Sequence, residues 1–375
     1  MTRGLVAVAA NTNWVLRPAS IVGVAYGVLL VLLLATHAWD PLFFATLGPQ
    51  WGRHDPTGQK GFDGQFFYAI AVDPTGAIGF LDPPAYRMAR ILYPLVARGL
   101  AFGQLPLVPW TLMLVNWAAI VLGTEIMHRL LASLGASPWM ALAYGAWGGL
   151  GLALLRDTAE PLTYLCALLG IWWLERGRTS LACGAFFGAI LGGETALLLV
   201  GPYLAVVGRG RTGFPRWLPS LGVLGLWVGW LVGVRLWVGA PLRLWIPSLL
   251  PLAGFSATRL LDLPFSLIYL VIPALVVVVY GVWGLVRARG DPRLWAAVLN
   301  GLLVLSLPPE TAALLWHSSR VSSGLIVSTL LSMPFWSSPP WLWRGLATLY
   351  MSSACWTAAV GVRYLLWDVV RLPGG

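Results

Sequence analysis

Two arginines three residues apart open the chemical case. In Tyr86-Arg87-Met88-Ala89-Arg90-Ile91-Leu92-Tyr93-Pro94 a helical spacing puts Arg87 and Arg90 on one side of the helix. Two cations on one face make a site for a phosphate or pyrophosphate; the same pair can instead snorkel to lipid phosphates. Upstream lies the acid-rich run that holds Asp63, Gln65 and Tyr68. Downstream, Asp157 and Glu160 stand about one helical turn apart, a spacing that lets them hold a cation or orient an acceptor. Asp157 is equally placed to cap the next helix and pair with Arg156. Glu194 follows Gly193 and precedes an apolar run, where Ser or Asp makes a better cap, so a role in a polar network is expected. Glu310, His317 and Arg320 set an acid, an imidazole and a guanidinium within three helical turns, either as a substrate-facing cluster or as a solvated turn. Glu125 and His128, three apart near the cytoplasmic end of one span, either pair locally or snorkel, and stay outside the site. No Asp-x-Asp or Glu-x-Asp pair occurs in the loop after the first span, so no metal ligand is assigned and a divalent metal is unsupported though possible. Cys166, Cys183 and Cys355 sit in apolar segments without Cys-x-x-Cys spacing and read as small packing residues.

These residues must be positioned by helices in lipid. Of 375 residues, 58% are hydrophobic and only 10% charged, too few to cover a water-exposed surface. The expected fold is therefore all-α: one integral membrane domain over 1–375, a polytopic bundle of about 11 spans, each of roughly 20 apolar residues or fewer. The apolar runs cover about 20–36, 107–127, 139–155, 162–174, 181–191, 196–207, 218–238, 265–286, 294–307, 321–336 and 346–366. The first reads as a retained span, not a cleaved signal. A net charge of +10 would suggest nucleic acid in a soluble protein, but here arginines fall between apolar runs and anchor helix ends; no nucleic-acid partner is expected. Short loops carrying Arg129, Arg176, Arg178, Arg209, Arg211, Arg216, Arg287, Arg289, Arg293 and Arg344 share one side, which is the cytoplasmic one.

That orientation puts the long loop 37–106 outside, together with Asp40, Asp55, Asp63, Asp73, Asp82, Asp157, Glu160, Glu194, Asp262 and Glu310. Charges beside hydrocarbon are costly and usually face a cavity or each other, so an acid-lined polar site on the outer face follows. Within the loop, Phe66, Phe67 and Ile70 share one face of a short helix expected to lie along the interface, and Asp82-Pro83-Pro84 signals the start of a second. Most of the 22 tryptophans belong to interfacial belts and packing; Trp39, Trp51 and Trp316 are the outer candidates for a sugar cleft.

Phe62-Asp63-Gly64-Gln65-Phe66-Phe67-Tyr68, then Asp73-Pro74, then Tyr86-Arg87 through Arg90-Ile91-Leu92-Tyr93-Pro94, resembles the first-loop signature of bacterial multi-pass proteins related to the GT-C glycosyltransferase superfamily. Arg156-Asp157-Thr158-Ala159-Glu160-Pro161 resembles its acidic second outer loop, and Gly193-Glu194-Thr195 an acidic turn of its relatives. The resemblance covers about the first two hundred residues and implies a GT-C-like fold in the inner, cytoplasmic membrane with the active face extracytoplasmic. It implies a sugar on a polyprenyl phosphate as donor, a glycan, lipid or protein as acceptor, and Asp63 as base. Direct displacement at an anomeric carbon needs a carboxylate for the acceptor proton and cations for the departing phosphate, which Arg87, Arg90 or Arg320 can supply. Two alternatives stand beside transfer. One is a lipid or solute transporter, which the break at Gly192-Gly193 favours; the other is a non-catalytic scaffold subunit of the same fold.

Overall fold

The computed structural model describes residues 17–52, 57, 61–207, 217–242, 247–288, 290–336 and 339–370. Asp55, Arg209, Arg211, Arg216, Arg243, Arg289 and the side chain of Trp51 lie outside the described residues. Regular structure in the described chain is helical, with one isolated β-bridge between Leu47 and Gly61. The helices that build and support the site are α1 (Pro18–Thr36), α2 (Gly64–Val72), α3 (Pro84–Ala89), α4 (Leu92–Leu100), α5 (Val108–Ser133), α6 (Gly148–Leu154), α7 (Glu160–Glu175), α8 (Thr179–Gly192), α9 (Leu197–Leu204), α10 (Leu218–Val238), α11 (Ile272–Arg287), α12 (Pro292–Leu305), α13 (Leu315–Val321) and α14 (Ser323–Ser332).

Five helices among the described residues are long and apolar enough to cross a membrane: Pro18–Thr36, Leu105–Ser133, Leu218–Val238, Leu263–Arg287 and Pro340–Arg363. The protein is thus a helical membrane protein. Several of the shorter predicted runs end up inside it. The run 139–155 divides into a 3₁₀ turn at Pro138–Ala141, a short helix at Leu142–Gly145, and α6, every residue of which is buried. A helix apolar on all sides suits a protein core as well as lipid, and hydropathy does not separate the two. Glycine explains why this one goes inside: a Cβ at Gly148 would meet the Ser353 carbonyl and one at Gly149 the Ser319 carbonyl.

The bundle is organised around the α7–α8 hairpin, with α5 packed on α7, α1 on α5, and α12 linking α9, α11 and α14. The hairpin fixes which residues share an end. The start of α7 and the end of α8 lie together, bringing Glu160 near Glu194. The opposite end gathers other pairs: Arg17 with Glu125 at 3.5 Å, Arg129 with Glu125 at 2.8 Å, and Asp291 with Arg293 at 3.1 Å. The local partner expected for Glu125, His128, is not the one it takes: Glu125 pairs with Arg17 and Arg129, and His128 Nδ1 has no hydrogen-bond partner among the described residues.

The loop helices differ from expectation in where they lie. Instead of floating along an interface, α2 is enclosed: Phe66 and Ile70 pack with Met88, Ile91 and Val234, while Phe67 and Ala71 pack with Tyr93, Leu112 and Leu162. Apolar side chains on two faces of one short helix pull it between two clusters, and burial at about 25 cal/mol per Å2 outweighs a position half in lipid head groups. The predicted helix 86–94 is also divided. A continuous helix would place Pro94 in its interior; the chain breaks at Arg90 and restarts at Leu92, leaving Pro94 in the first turn of α4, where a missing N–H costs nothing. Asp73 accepts from the main-chain N–H groups of Thr75 and Gly76 at 3.1 and 3.0 Å, the turn that its pairing with Pro74 predicts.

Gly64 seats α2 on the bundle, because a Cβ there would collide with the Arg156 carbonyl oxygen and crowd that of Ala45. Gly64→Ala is expected to destabilise the purified protein by about 1–3 kcal/mol, the usual cost of overpacking. Gly99→Ala, which meets open space, serves as control. Thermal unfolding in detergent checks this, and equal midpoints for both variants would contradict the close approach.

Candidate functional site

At the shared end of α7 and α8 three guanidiniums and three carboxylates alternate. Asp63 directly precedes α2 and makes no cap hydrogen bond to it, which leaves the carboxylate for other partners. Its Oδ1 lies 3.0 Å from Arg87 Nη2 of α3, and its Oδ2 accepts from Arg320 Nη2 of α13 at 2.8 Å. Arg320 Nε lies 3.8 Å from Oε1 of Glu160, the first residue of α7. Arg90 closes the set with a two-pronged grip on Glu194, Nε to Oε2 at 2.9 Å and Nη2 to Oε1 at 2.6 Å. Its Nη2 also donates to the Tyr86 hydroxyl. Forked guanidinium–carboxylate pairs of this kind are among the stronger and more directional contacts in proteins.

Aromatic rings wall the network. Arg87 lies over Phe66 at 4.5 Å and Arg90 over Tyr86 at 4.3 Å. The Phe62 ring takes both Arg320, at 4.8 Å, and Arg156, at 5.1 Å, and Trp316 holds Arg156 at 5.0 Å. Arg320 is 4% exposed, whereas the side chains of Asp63 and Glu160 keep 23% and 18% of their surface, so the carboxylates face the accessible side.

Burial by itself would raise the pKa of Asp63, but Arg87 and Arg320, with a further contribution from His317, hold it far below the carboxylate range. The two guanidiniums thus favour its ionised form. A carboxylate held so low is a weak proton acceptor, which bears on the base role that the resemblance implies for it. Burial, then the Arg90 charge in the opposite sense and Glu194, leave the Tyr86 hydroxyl pushed up to about 12; it is a neutral hydrogen-bonding group. His317, packed on Phe62 at 5.5 Å, is lowered by burial and by Arg320, so its imidazole is neutral at pH 7.

Of the residues singled out in the sequence, Asp63, Arg87, Arg90, Glu160, Glu194 and Arg320 therefore meet in one network, with His317 beside it. Arg87 and Arg90, expected to act on one anion, serve different carboxylates because the helix breaks at Arg90. Gln65 is buried, and its Oε1 accepts from the Gly48 N–H at 3.2 Å, which ties down the turn before α2. Tyr68 is half-buried and packs with the cluster around Phe67 and Tyr93. Glu310 is exposed, and no ion pair among the described residues reaches its carboxylate. Trp39 is exposed at the end of α1.

Asp157 departs most from its reading as a cap paired with Arg156. It is wholly buried, in the left-handed backbone region at φ 46, with Oδ1 3.4 Å from the Tyr93 hydroxyl. The same hydroxyl donates to the Leu112 carbonyl at 2.9 Å and accepts from Asn116 Nδ2 at 2.8 Å. Burial pushes the Asp157 carboxyl well above the usual range, which favours its neutral form. Arg156 turns away from it to Thr46, whose hydroxyl accepts at 2.7 Å. Tyr86, Phe62 and Asn116 join these residues as functional neighbours. Tyr86 and Arg90 are four apart, a helical pairing distance, and Asn116 is a polar residue inside an apolar run, itself a signal.

Comparison with known proteins returns no matching family model, no matching curated protein and no matching solved structure.

Two outcomes follow from this geometry. Asp157→Asn keeps a neutral, hydrogen-bonding side chain that tolerates the left-handed region and should leave thermal stability within about 0.5 kcal/mol. Asp157→Ala should lose about 1–3 kcal/mol; a large loss in Asp157→Asn would show that the carboxyl is ionised. For Arg90 and Glu194, a double-mutant cycle of the alanine variants should yield a coupling energy on the order of 1–3 kcal/mol, read from denaturation midpoints. Additive losses would mean that the two side chains do not act as a pair.

Proposed function

We propose that this chain is an integral-membrane transferase that moves a sugar from a polyprenyl-phosphate-linked donor to an extracytoplasmic acceptor, on a GT-C-like bundle of about 11 crossings. The observation that carries the reading is the convergence of Arg87 and Arg320 on the two oxygens of Asp63, at 3.0 and 2.8 Å, with the Glu160 carboxylate next to Arg320. Two guanidiniums directed at one small region of negative charge are the arrangement that binds a phosphate, and the neighbouring acid is what a hydroxyl nucleophile needs. Such a donor couples a headgroup for this network to a tail that stays in lipid. In direct displacement the acceptor oxygen bonds to the anomeric carbon as the carbon–oxygen bond to phosphate breaks, and the pair left on phosphate is stabilised by guanidiniums in a site of low dielectric. Inversion follows where no enzyme nucleophile intervenes.

One observation favours the scaffold reading as the second. Both oxygens of Asp63 and both of Glu194 already have arginine partners, so the same contacts serve to staple the loop to the bundle without chemistry.

Transfer of radiolabelled sugar from a panel of polyprenyl-phosphate donors into a membrane extract separates the two. The purified protein should catalyse transfer, and Arg87→Ala should weaken donor binding about 10- to 100-fold, the worth of one hydrogen bond to a charged group. No transfer with any donor, from protein whose thermal midpoint is intact, would leave the scaffold reading.

A further inference from the structure

The network contains polar atoms that the protein itself does not satisfy. Glu160 Oε2 and Arg320 Nε and Nη1 are shut away from solvent, and none has a hydrogen-bond partner among the described residues. The Arg320 Nε to Glu160 Oε1 separation of 3.8 Å is an ion pair but too long for a hydrogen bond. Unpartnered buried groups are costly and uncommon, and here an acceptor oxygen of Glu160 and two guanidinium nitrogens of the adjacent Arg320 are left without partners. The other acids of the network differ. Asp63 has an arginine on each oxygen and Glu194 is gripped by Arg90 through both of its own. Glu160 alone among the three keeps an oxygen for something else.

The chemistry of these unpartnered atoms selects what can bind them. A phosphate or carboxylate would accept from Arg320 but be repelled by Glu160, and an ammonium group would donate to Glu160 but be repelled by Arg320. A hydroxyl donates one hydrogen and accepts through its lone pairs, so it alone among these groups satisfies both sides. We propose that Glu160 and Arg320 together form the acceptor-hydroxyl site, and that Glu160, not Asp63, takes the hydroxyl proton. The proposal rests on the transferase reading above and adds the residue that performs proton transfer.

The acceptor O–H donates to Glu160 Oε2 and accepts from an Arg320 N–H. As the acceptor oxygen forms its bond to the anomeric carbon of the polyprenyl-phosphate sugar, its proton passes to Glu160, and the electron pair of the carbon–phosphate-oxygen bond leaves with the phosphate. Glu160 then releases the proton to water as the product departs. Asp63 is a positioning residue in this scheme. It fixes Arg87 and Arg320 from opposite ends of the chain, and its own carboxylate is too strongly held by them to serve as base.

The test compares wild type, Glu160→Gln, Glu160→Asp and Asp63→Asn, purified in detergent and matched for thermal midpoint. Two quantities are read: sugar transfer to an acceptor at saturating donor, and equilibrium binding of the polyprenyl-phosphate donor. Glu160→Gln should lower turnover at least 100-fold while donor affinity stays within about threefold of wild type. Glu160→Asp, which keeps the carboxylate at a shorter reach, should recover part of the rate. Asp63→Asn should act mainly on donor affinity and keep measurable turnover at saturation. Full turnover in Glu160→Gln with none in Asp63→Asn would overturn the assignment and return the proton to Asp63, leaving the transferase reading standing. Loss of donor binding in Glu160→Gln would equally overturn it, since the residue would then hold donor, not acceptor. A wild-type protein inert with every donor would sink the transferase reading and this assignment with it.

Discussion

Arg320 is the residue on which the rest of the site depends. It comes from α13, late in the chain, and donates to Asp63, 257 residues earlier, while approaching Glu160 at the head of α7. Three segments remote in sequence are thereby fixed around one guanidinium. Breaking one partner out of such a buried pair is far more destabilising than replacing the whole set by apolar residues. Of Arg87, Arg90 and Arg320 against Asp63, Glu160 and Glu194, the charges cancel three against three. A set of this balance tolerates low dielectric where any single member would not.

The network is held in register by apolar packing more than by its own charges. α2 lies between two clusters, and its position fixes Asp63 at its head to within the reach of both arginines. Gly64 permits that approach because nothing larger than hydrogen fits against the Arg156 carbonyl. At the other end of α2, Arg98 Nη1 donates to the Ala71 carbonyl at 2.7 Å, capping the helix with positive charge. Trp230 of α10 donates to the Ala89 carbonyl at 3.0 Å and so pins the end of α3 beside the arginine that follows it. The loop 37–106 is thus a built part of the bundle. A site made on such a support presents its charged groups in one geometry before any ligand arrives.

Much of this was legible in the residues. The asymmetry of acids between helix ends marked Asp63, Glu160 and Glu194, because carboxylates beside hydrocarbon need a reason to be there. The paired arginines were legible for the same cause. Their division between two carboxylates was not, since it depends on Pro94 forcing a restart at Leu92, a choice that single-residue spacing leaves open. Asp157 was misplaced because its neighbour Arg156 offered a local partner, while the real one, Tyr93, lies 64 residues away. Local pairs can be read along a chain; the close approach of α4 and α5 to the turn before α7 cannot. Hydropathy carries a related ambiguity, as a run such as 148–154 is equally apolar whether lipid or protein surrounds it.

Where the charges sit also bears on what kind of process they serve. The network forms at the ends of helices: before α2, at the end of α3, at the start of α7 and just after α8. A carrier that moves a polar ligand across the bilayer needs its binding groups near the midplane, commonly on helices broken in paired positions. The break at Gly192-Gly193 instead delivers Glu194 to the same end as Glu160, where it meets Arg90. Under the proposed transfer, groups at helix ends suit a ligand with a charged head and a long apolar tail, which need not leave lipid to present its head. They suit equally, under the same proposed transfer, an acceptor approaching from water, because the side chains of Asp63 and Glu160 keep part of their surface while Arg320 is buried. In that proposal donor and acceptor meet at one cluster of side chains, the proximity that direct displacement demands.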